Sequence, residues 1–500
     1  MKCHVQGSNS GVEKEMKTPY SKTRSTAVMA FIIALLIGRA VSAQVQNSPT
    51  ESFEGLWSGA PKIVNQAVPP IVFRIIKNLD SRFNAYLESP DGIQRIRASR
   101  VTSTNEIVRV DVDEIGGVFE GRPSDDRLSI DGKWTQAGRS FPLVIKRTDE
   151  QSRPNRPQEP KKPYPYDVEE IVCENKEAGV KLAGTLTLPR TKGPFPAVRL
   201  IGGSGSLNRD DECFGHRTFL VLADYLTRQG MAVLRLDKRG VFKSGGQYEN
   251  ATTEDFAGDA LASVEYLKSR QEIDPKRIGL IGHSEGAMIA PMLAAKSPDI
   301  AFIVMIAGPG VPLDDAMTIQ NCLYAEADGA DKNKVAFLCG WYKNFYAVAI
   351  NEKDDKIAAE KIRKMYAGLT EPQKQMLRWS EGKLNKEIGE VLSPWHRYLL
   401  AFNPKMFLTK VKCPVLAVIG QKDLQVSSAE NLAGIADALK AGGNQNFIVK
   451  ELPGLNHLLQ TAETGAESEY AQIEETIAPL ALNTIGDWII EQIDRPQDKR

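Results

Sequence analysis

Residues 282–286 read Gly-His-Ser-Glu-Gly, a G-x-S-x-G pentapeptide, and their types point to nucleophilic chemistry at Ser284. The apolar run 278–281 before it reads as a short buried strand. Residues 287–295, small or apolar with Pro291 near the first turn, read as a helix. Strand, sharp turn and helix make a nucleophile elbow with the serine at its apex. Gly282 and Gly286 fit that geometry, because a β-carbon two residues either side of the serine would strike the neighbouring helix or strand. The turn lifts the hydroxyl to the carboxyl end of a sheet and sets it at a helix N-terminus, where the dipole favours developing negative charge. A chance pentapeptide in a loop is the alternative, and the flanking strand and helix patterns argue against it.

A serine hydroxyl is a poor nucleophile until a base takes its proton. A neutral imidazole does this near pH 7, provided a carboxylate holds its tautomer. The elbow therefore predicts an acid and then a histidine, in that order, each in a loop after a later strand. Beyond residue 43 the chain has four histidines. His283 sits inside the elbow, so its side chain is expected to point away from the hydroxyl. His396 lies in a helix-rich stretch, and His216 comes too early in the chain. His457 ends the segment Pro-Gly-Leu-Asn-His, just past the last strand pattern, which is the expected place for the base. Asp423 follows the strand 415–420 and is the candidate acid, with an ordinary turn aspartate as the alternative. One helix and one strand separate Asp423 from His457, as a single βαβ step requires. An oxyanion needs two backbone N–H donors. Glu285, next after the nucleophile, supplies one. The loop after the strand 197–201 supplies the other, with Ser204 first and Gly205 second. A phosphate-binding glycine loop competes for that segment, but neither G-x-G-x-x-G nor a Lys-Ser/Thr signature is present.

These side chains need a framework. Residues 51–148 show short alternating runs separated by turns such as Ser89-Pro90-Asp91-Gly92, which predicts a small antiparallel β-domain, barrel or sandwich. It holds no histidine or cysteine, so it reads as a spacer or packing partner, with substrate binding as the alternative. Residues 149–166 carry five prolines among charged residues and read as a semi-rigid linker. From 167 strands alternate with helices, which predicts an α/β fold, a doubly wound and mostly parallel sheet covered on both faces. Residues 313–405 interrupt it as an inserted helical cap. Its aromatics, Trp341, Phe345, Tyr346, Tyr366, Trp379, Trp395 and Phe402, read mainly as the cap's own core, with an apolar acyl pocket as the alternative.

Five hundred residues predict two or three units, and a net charge of zero without a long basic run argues against a nucleic-acid or anionic-membrane partner. Lys17, Lys22 and Arg24 precede an apolar run at 27–37 and then Val41-Ser42-Ala43, the pattern of a signal peptide spanning 1–43. That run is shorter than the roughly 20 residues of a relaxed membrane span. The chain is thus expected to be secreted or periplasmic, with no stable span after cleavage. An uncleaved anchor and a start at Met16 are the alternatives. Cys173, Cys213, Cys322, Cys339 and Cys413 remain, irregularly spaced and odd in number, which argues against a zinc site. Cys322 and Cys339 could form a bridge or stay as two buried thiols.

From about 167 to the end the chain resembles the α/β-hydrolases, in particular the bacterial secreted serine-hydrolase branch with a helical lid, near the dienelactone-hydrolase and prolyl-oligopeptidase-like groups. The resemblance rests on Gly203-Ser204-Gly205 with Asn208-Arg209-Asp210, Asp237-Lys238-Arg239-Gly240, 282–286, Ala307-Gly308-Pro309-Gly310, Ser393-Pro394-Trp395, 420–426 and Leu455-Asn456-His457. It implies esterase or related acyl-hydrolase activity on a small-molecule ester, with no cofactor and no metal. Two positions depart from the pattern. Gly202 stands where many members carry histidine, and Phe242 where related turns have glycine. The first domain resembles N-terminal domains found beside such hydrolases. A peptidase or aminopeptidase is the runner-up, although no acidic pair offers itself for a free amino terminus. A thioesterase is third. A non-catalytic binding protein on the same scaffold is the reading from another class.

Overall fold

The computed structural model of the chain describes residues 53–62, 68–104, 106–149 and 153–494. The predicted signal segment 1–43 lies outside them. The first nine strands are β1 (Gly55–Gly59), β2 (Ile71–Lys77), β3 (Phe83–Glu88), β4 (Arg95–Arg97), β5 (Arg100–Thr104), β6 (Ile107–Val112), β7 (Gly117–Pro123), β8 (Ser129–Gln136) and β9 (Arg139–Thr148). They form one sheet in the order β4-β3-β2-β1-β9-β8-β7-β6-β5, and neighbours run antiparallel. Only Ala98 and Ser99 separate β4 from β5, which lie at opposite edges, so the edges must meet. Ala98 N–H donates to Ala85 O and Ser99 N–H to Asp111 O, each at 2.8 Å. The sheet therefore curls on itself around Trp57, Phe73, Phe119, Ile130, Leu143 and Ile145, the inward residues of alternating strands. The sequence reading missed β4 and β5, because Arg95 to Arg97 and Arg100 to Thr104 are short and carry few apolar residues.

The proline-rich stretch, whose composition predicts a semi-rigid linker, is docked where it is described. Arg156 is buried and donates to the carbonyls of Gly215, Phe214, Ile473 and Ala471, while the Gln158 amide oxygen accepts from Thr476 N and Ile477 N.

The remaining strands are β10 (Asp167–Asn175), β11 (Val180–Leu188), β12 (Phe195–Ile201), β13 (Glu212–Cys213), β14 (His216–Arg217), β15 (Ala232–Leu236), β16 (Ile273–His283), β17 (Phe302–Ile306), β18 (Val415–Gly420) and β19 (Phe447–Leu452). Apart from the small β13–β14 hairpin they form an eight-stranded sheet in the order β10-β11-β15-β12-β16-β17-β18-β19. The first three pair antiparallel and the rest are parallel. Every residue of β12, β15, β17 and β18 is buried, because both faces of a parallel sheet are covered; β17 and β18 are unbroken apolar runs, while β12 and β15 each carry one buried arginine, Arg199 and Arg235. Helices α1 (Thr218–Arg228), α2 (Thr253–Lys268) and α3 (Glu285–Ala294) come before the cap, and α11 (Ser428–Ala441), α12 (Glu467–Tyr470) and α13 (Pro479–Asp494) after it. One core packs α2, α3 and α11 on one face, and a second packs α1 and α13 on the other.

Between β17 and β18 lie α4 (Leu313–Ala327), α5 (Lys332–Asn351), α6 (Asp355–Ala367), α7 (Glu371–Leu377), α8 (Glu381–Val391), α9 (Pro394–Leu400) and α10 (Lys405–Leu408). Trp341, Phe345, Tyr346 and Trp379 form a core of the cap itself, with Tyr366 against it. Trp395 and Phe402 belong instead to the core under the main sheet. A disulfide joins Cys322 of α4 to Cys339 of α5, and Cys173, Cys213 and Cys413 are free. Among the described residues no helix is long and apolar enough to cross a membrane.

Candidate active site

The elbow is a local consequence of its glycines. A β-carbon on Gly282 would lie 2.0 Å from Gly286 O, and one on Gly286 2.0 Å from Ile201 O. Their absence lets α3 start against the ends of β12 and β16. Ser284 carries φ 53°, ψ −113°, a conformation costing a non-glycine residue about 1–3 kcal/mol. Its N–H donates to Ile306 O and its carbonyl accepts from Ala287 N, each at 2.9 Å, so sheet and helix hold the strain. The first N–H groups of a helix lack partners within it, and that of Glu285 opens α3.

The other candidates come from loops at the carboxyl ends of neighbouring parallel strands, where open α/β sheets assemble their sites. Asp423 follows β18 and is buried. Its Oδ1 accepts from Gln425 N and Val426 N, both at 2.8 Å, and its Oδ2 accepts from His457 Nδ1 at 2.8 Å. His457 follows β19, in a turn fixed by the Asn456 side chain. Asn456 Oδ1 accepts from Leu458 N at 3.0 Å and Gln460 N at 2.9 Å. The His457 ring lies 5.0 Å from the ring of His283, the residue before Ser284. On the opposite side, the loop after β12 passes close to the serine. A β-carbon on Gly203 would stand 3.3 Å from Ser284 Cβ. Gly203 N–H is committed to Asp211 Oδ1 at 3.1 Å, so Ser204 and then Gly205, at φ 96°, carry the next N–H groups of that loop.

Several side chains with no assigned role in the sequence reading prove to be structural partners here. Asp211, fully buried, accepts from Gly203 N through Oδ1 and from His283 Nδ1 through Oδ2 at 2.9 Å. Burial, the largest single influence, lowers the His283 pKa, but the hydrogen bond and charge of Asp211, the His457 carbonyl and the Asp423 charge together outweigh it and the pKa is raised. The Glu285 side chain is also buried. Its Oε2 pairs with Lys238 Nζ at 2.9 Å, and its Oε1 accepts from Thr253 Oγ1 and Trp395 Nε1, each at 2.8 Å. Lys238 also donates to Gly203 O. The residue after the serine thus ties the glycine loop to cap helix α9. No spacing rule reveals these contacts of Glu285 and Lys238, because the partners lie 32 to 110 positions apart. The other two histidines among the described residues are structural. His216 is bonded by Thr476 Oγ1, Tyr470 O and Gln460, and His396 is buried at α9. Burial pushes both pKa values down to about 4. Among the described residues no cluster of His, Cys, Asp and Glu could hold a metal ion.

Phe242, at φ 45°, is held from the first domain. Its N–H donates to Tyr86 Oη and its carbonyl accepts from Asn84 Nδ2, both at 2.8 Å, with Tyr86 stacked on its ring at 4.6 Å. The aromatic side chain in place of glycine is thus a contact between the two sheets.

The sheet order, the elbow after β16 and the cap between β17 and β18 define a serine hydrolase of the α/β-hydrolase class. Residues 178–450 match the model of the X-Pro dipeptidyl-peptidase (S15) family, and the chain belongs to that family. It is similar to esterase EstD of Thermotoga maritima, 24% identical over 319 residues, 64% of this chain and 68% of that protein. A shorter stretch of 153 residues is 29% identical to esterase FrsA of Yersinia enterocolitica, covering 30% of this chain and 34% of that one. A solved structure of the Pyrococcus furiosus esterase PF2001 aligns at a TM-score of 0.38 and 20% identity, over 60% of this chain and 89% of its own.

Proposed function

We propose that the protein is a secreted or periplasmic serine esterase working through Ser284, His457 and Asp423. His457 takes the proton of Ser284 as Oγ attacks the carbonyl carbon of an ester. Backbone N–H groups of Glu285 and Ser204, with Gly205 next, receive the oxyanion. His457 returns the proton to the departing alcohol, leaving an acyl-serine. Water, deprotonated by the same imidazole, then releases the acid and restores the serine. Asp423 holds the tautomer and stabilises the imidazolium. The observation that carries this reading is the 2.8 Å bond from His457 Nδ1 to Asp423 beside the strained turn of Ser284. The esterase names of similar proteins support an ester as substrate. The signal pattern at 1–43 and the Cys322–Cys339 disulfide support an oxidising compartment outside the cytosol.

A fluorophosphonate probe tests the nucleophile. Wild type is expected to label and Ser284→Ala not to; equal labelling of both, or of neither, refutes the assignment. p-Nitrophenyl esters set against amino-acid and X-Pro anilides then separate an esterase from a peptidase, and faster anilide turnover would assign the family's named activity instead.

A further inference from the structure

Two imidazole–carboxylate pairs sit side by side in this site, and the proposed mechanism uses only one. His283 and Asp211 form the second, with His283 5% and Asp211 0% exposed. Each nitrogen of His283 faces an oxygen that can only accept. Nδ1 points to the Asp211 carboxylate at 2.9 Å and Nε2 to the His457 carbonyl at 3.2 Å. A neutral imidazole has one N–H and would leave one contact as lone pair against lone pair. The imidazolium has two donors and satisfies both. The titratable and charged groups around the ring are Asp211 in contact, the base His457 with Asp423 behind it, and the Lys238–Glu285 pair across Gly203.

The three anchors of this ring belong to three different segments of the chain. His283 itself is the last residue of β16, next to the serine. Asp211 reaches back to Gly203 N–H and so holds the loop of the second oxyanion donor. The carbonyl of His457 belongs to the base. We propose that His283 is held as an imidazolium paired to Asp211, and that this cation is the positioning residue that locks the serine, oxyanion and base loops into one geometry. The inference rests on the roles proposed above for Ser284, His457 and Ser204. Charge matters here because hydrogen bonds to ionised groups are about twice as strong as neutral ones. Displacing one loop by about 1 Å can cost on the order of a hundredfold in rate.

The test has two arms, both on the full chain. NMR of protein labelled with 15N-histidine reads the charge directly. At pH 7.5 His283, assigned through correlations from its own backbone amide to the ring, is expected to show two protonated ring nitrogens. A single protonated nitrogen overturns the proposal. Kinetics read the positioning. Asp211→Asn and His283→Gln are expected to lower kcat at least about tenfold with KM within about threefold. A trifluoromethyl ketone, whose tetrahedral adduct carries the oxyanion, should weaken in parallel with kcat/KM. Folded variants with wild-type kcat overturn the proposal, and so does a loss confined to KM. Should both variants fail to fold, the NMR arm decides. Failure of Ser284→Ala to abolish labelling would sink the nucleophile assignment while leaving the charge measurement standing, so the two failures are distinguishable.

Discussion

Asp423 and Gly286 show how different physical terms act at single positions. Asp423→Asn keeps the shape of the side chain but offers His457 Nδ1 an amide that can favour the wrong tautomer. Under the proposed mechanism kcat should fall by about 10⁴-fold, the loss known for the equivalent change in a serine protease triad, with thermal stability little changed. Steady-state hydrolysis of a p-nitrophenyl ester together with a melting curve checks this, and a loss under tenfold would remove Asp423 from the mechanism. Gly286→Ala acts through space instead. The added methyl would sit 2.0 Å from the carbonyl oxygen of Ile201, a backbone atom in a buried strand that cannot swing aside. The expected cost is about 3 kcal/mol or more, visible as a lowered denaturation midpoint and lost probe labelling.

At the scale of elements, the cap is held in two ways. Its own aromatic core and the Cys322–Cys339 bridge fasten α4 to α5, while Trp395 on α9 reaches Glu285 beneath. The bridge closes a span of 17 residues, for which loop entropy gives about 3 kcal/mol. Reduction, or paired replacement by serine, should therefore loosen the cap ahead of the sheet. Limited proteolysis is expected to cut within 313–405 first, faster than in the oxidised protein. Unchanged cleavage would mean that the aromatic cluster alone fixes these helices. Trp395→Phe keeps an aromatic ring, though a smaller one, and withdraws the indole N–H from Glu285, and it tests the second fastening through the same cleavage pattern.

For the whole molecule, buried imidazoles set the response to acid. His216 and His396 have folded pKa values of about 4 because burial disfavours their cations. Unfolded, each titrates near 6.5. Between those values the unfolded chain holds more protons, so stability is intact above about 6.5 and falls as the pH drops towards 4. At about 1.4 kcal/mol per unit the loss approaches roughly 3 kcal/mol for each. His283 acts oppositely: its raised pKa adds stability that is fully present below the unfolded value and is lost as pH rises through the folded one. His216 and His396 thus act to lower the thermal midpoint at pH 5 relative to pH 7.5, against the opposing action of His283, and a lower midpoint at pH 5 is the expected outcome. His396→Gln should flatten that difference. A midpoint that rises on acidification would contradict it.

Local pattern alone marked the parts of this protein that depend on local physics. The fully buried strands β17 and β18 read as apolar runs, the elbow declared itself through glycines that must leave space, and the order of strands and loops singled out Asp423 and His457. Contacts between distant segments left no such trace. The strands β4 and β5, the docking of Arg156 and the seating of Phe242 against Tyr86 depend on neighbours far away in the chain. So does the pairing of His283 with Asp211, which the sequence reading expected only to point away from the serine. Backbone sterics and hydrophobic burial write a period into the sequence, whereas a buried charge is placed by whichever partner the folded chain brings to it, and that is settled only in three dimensions.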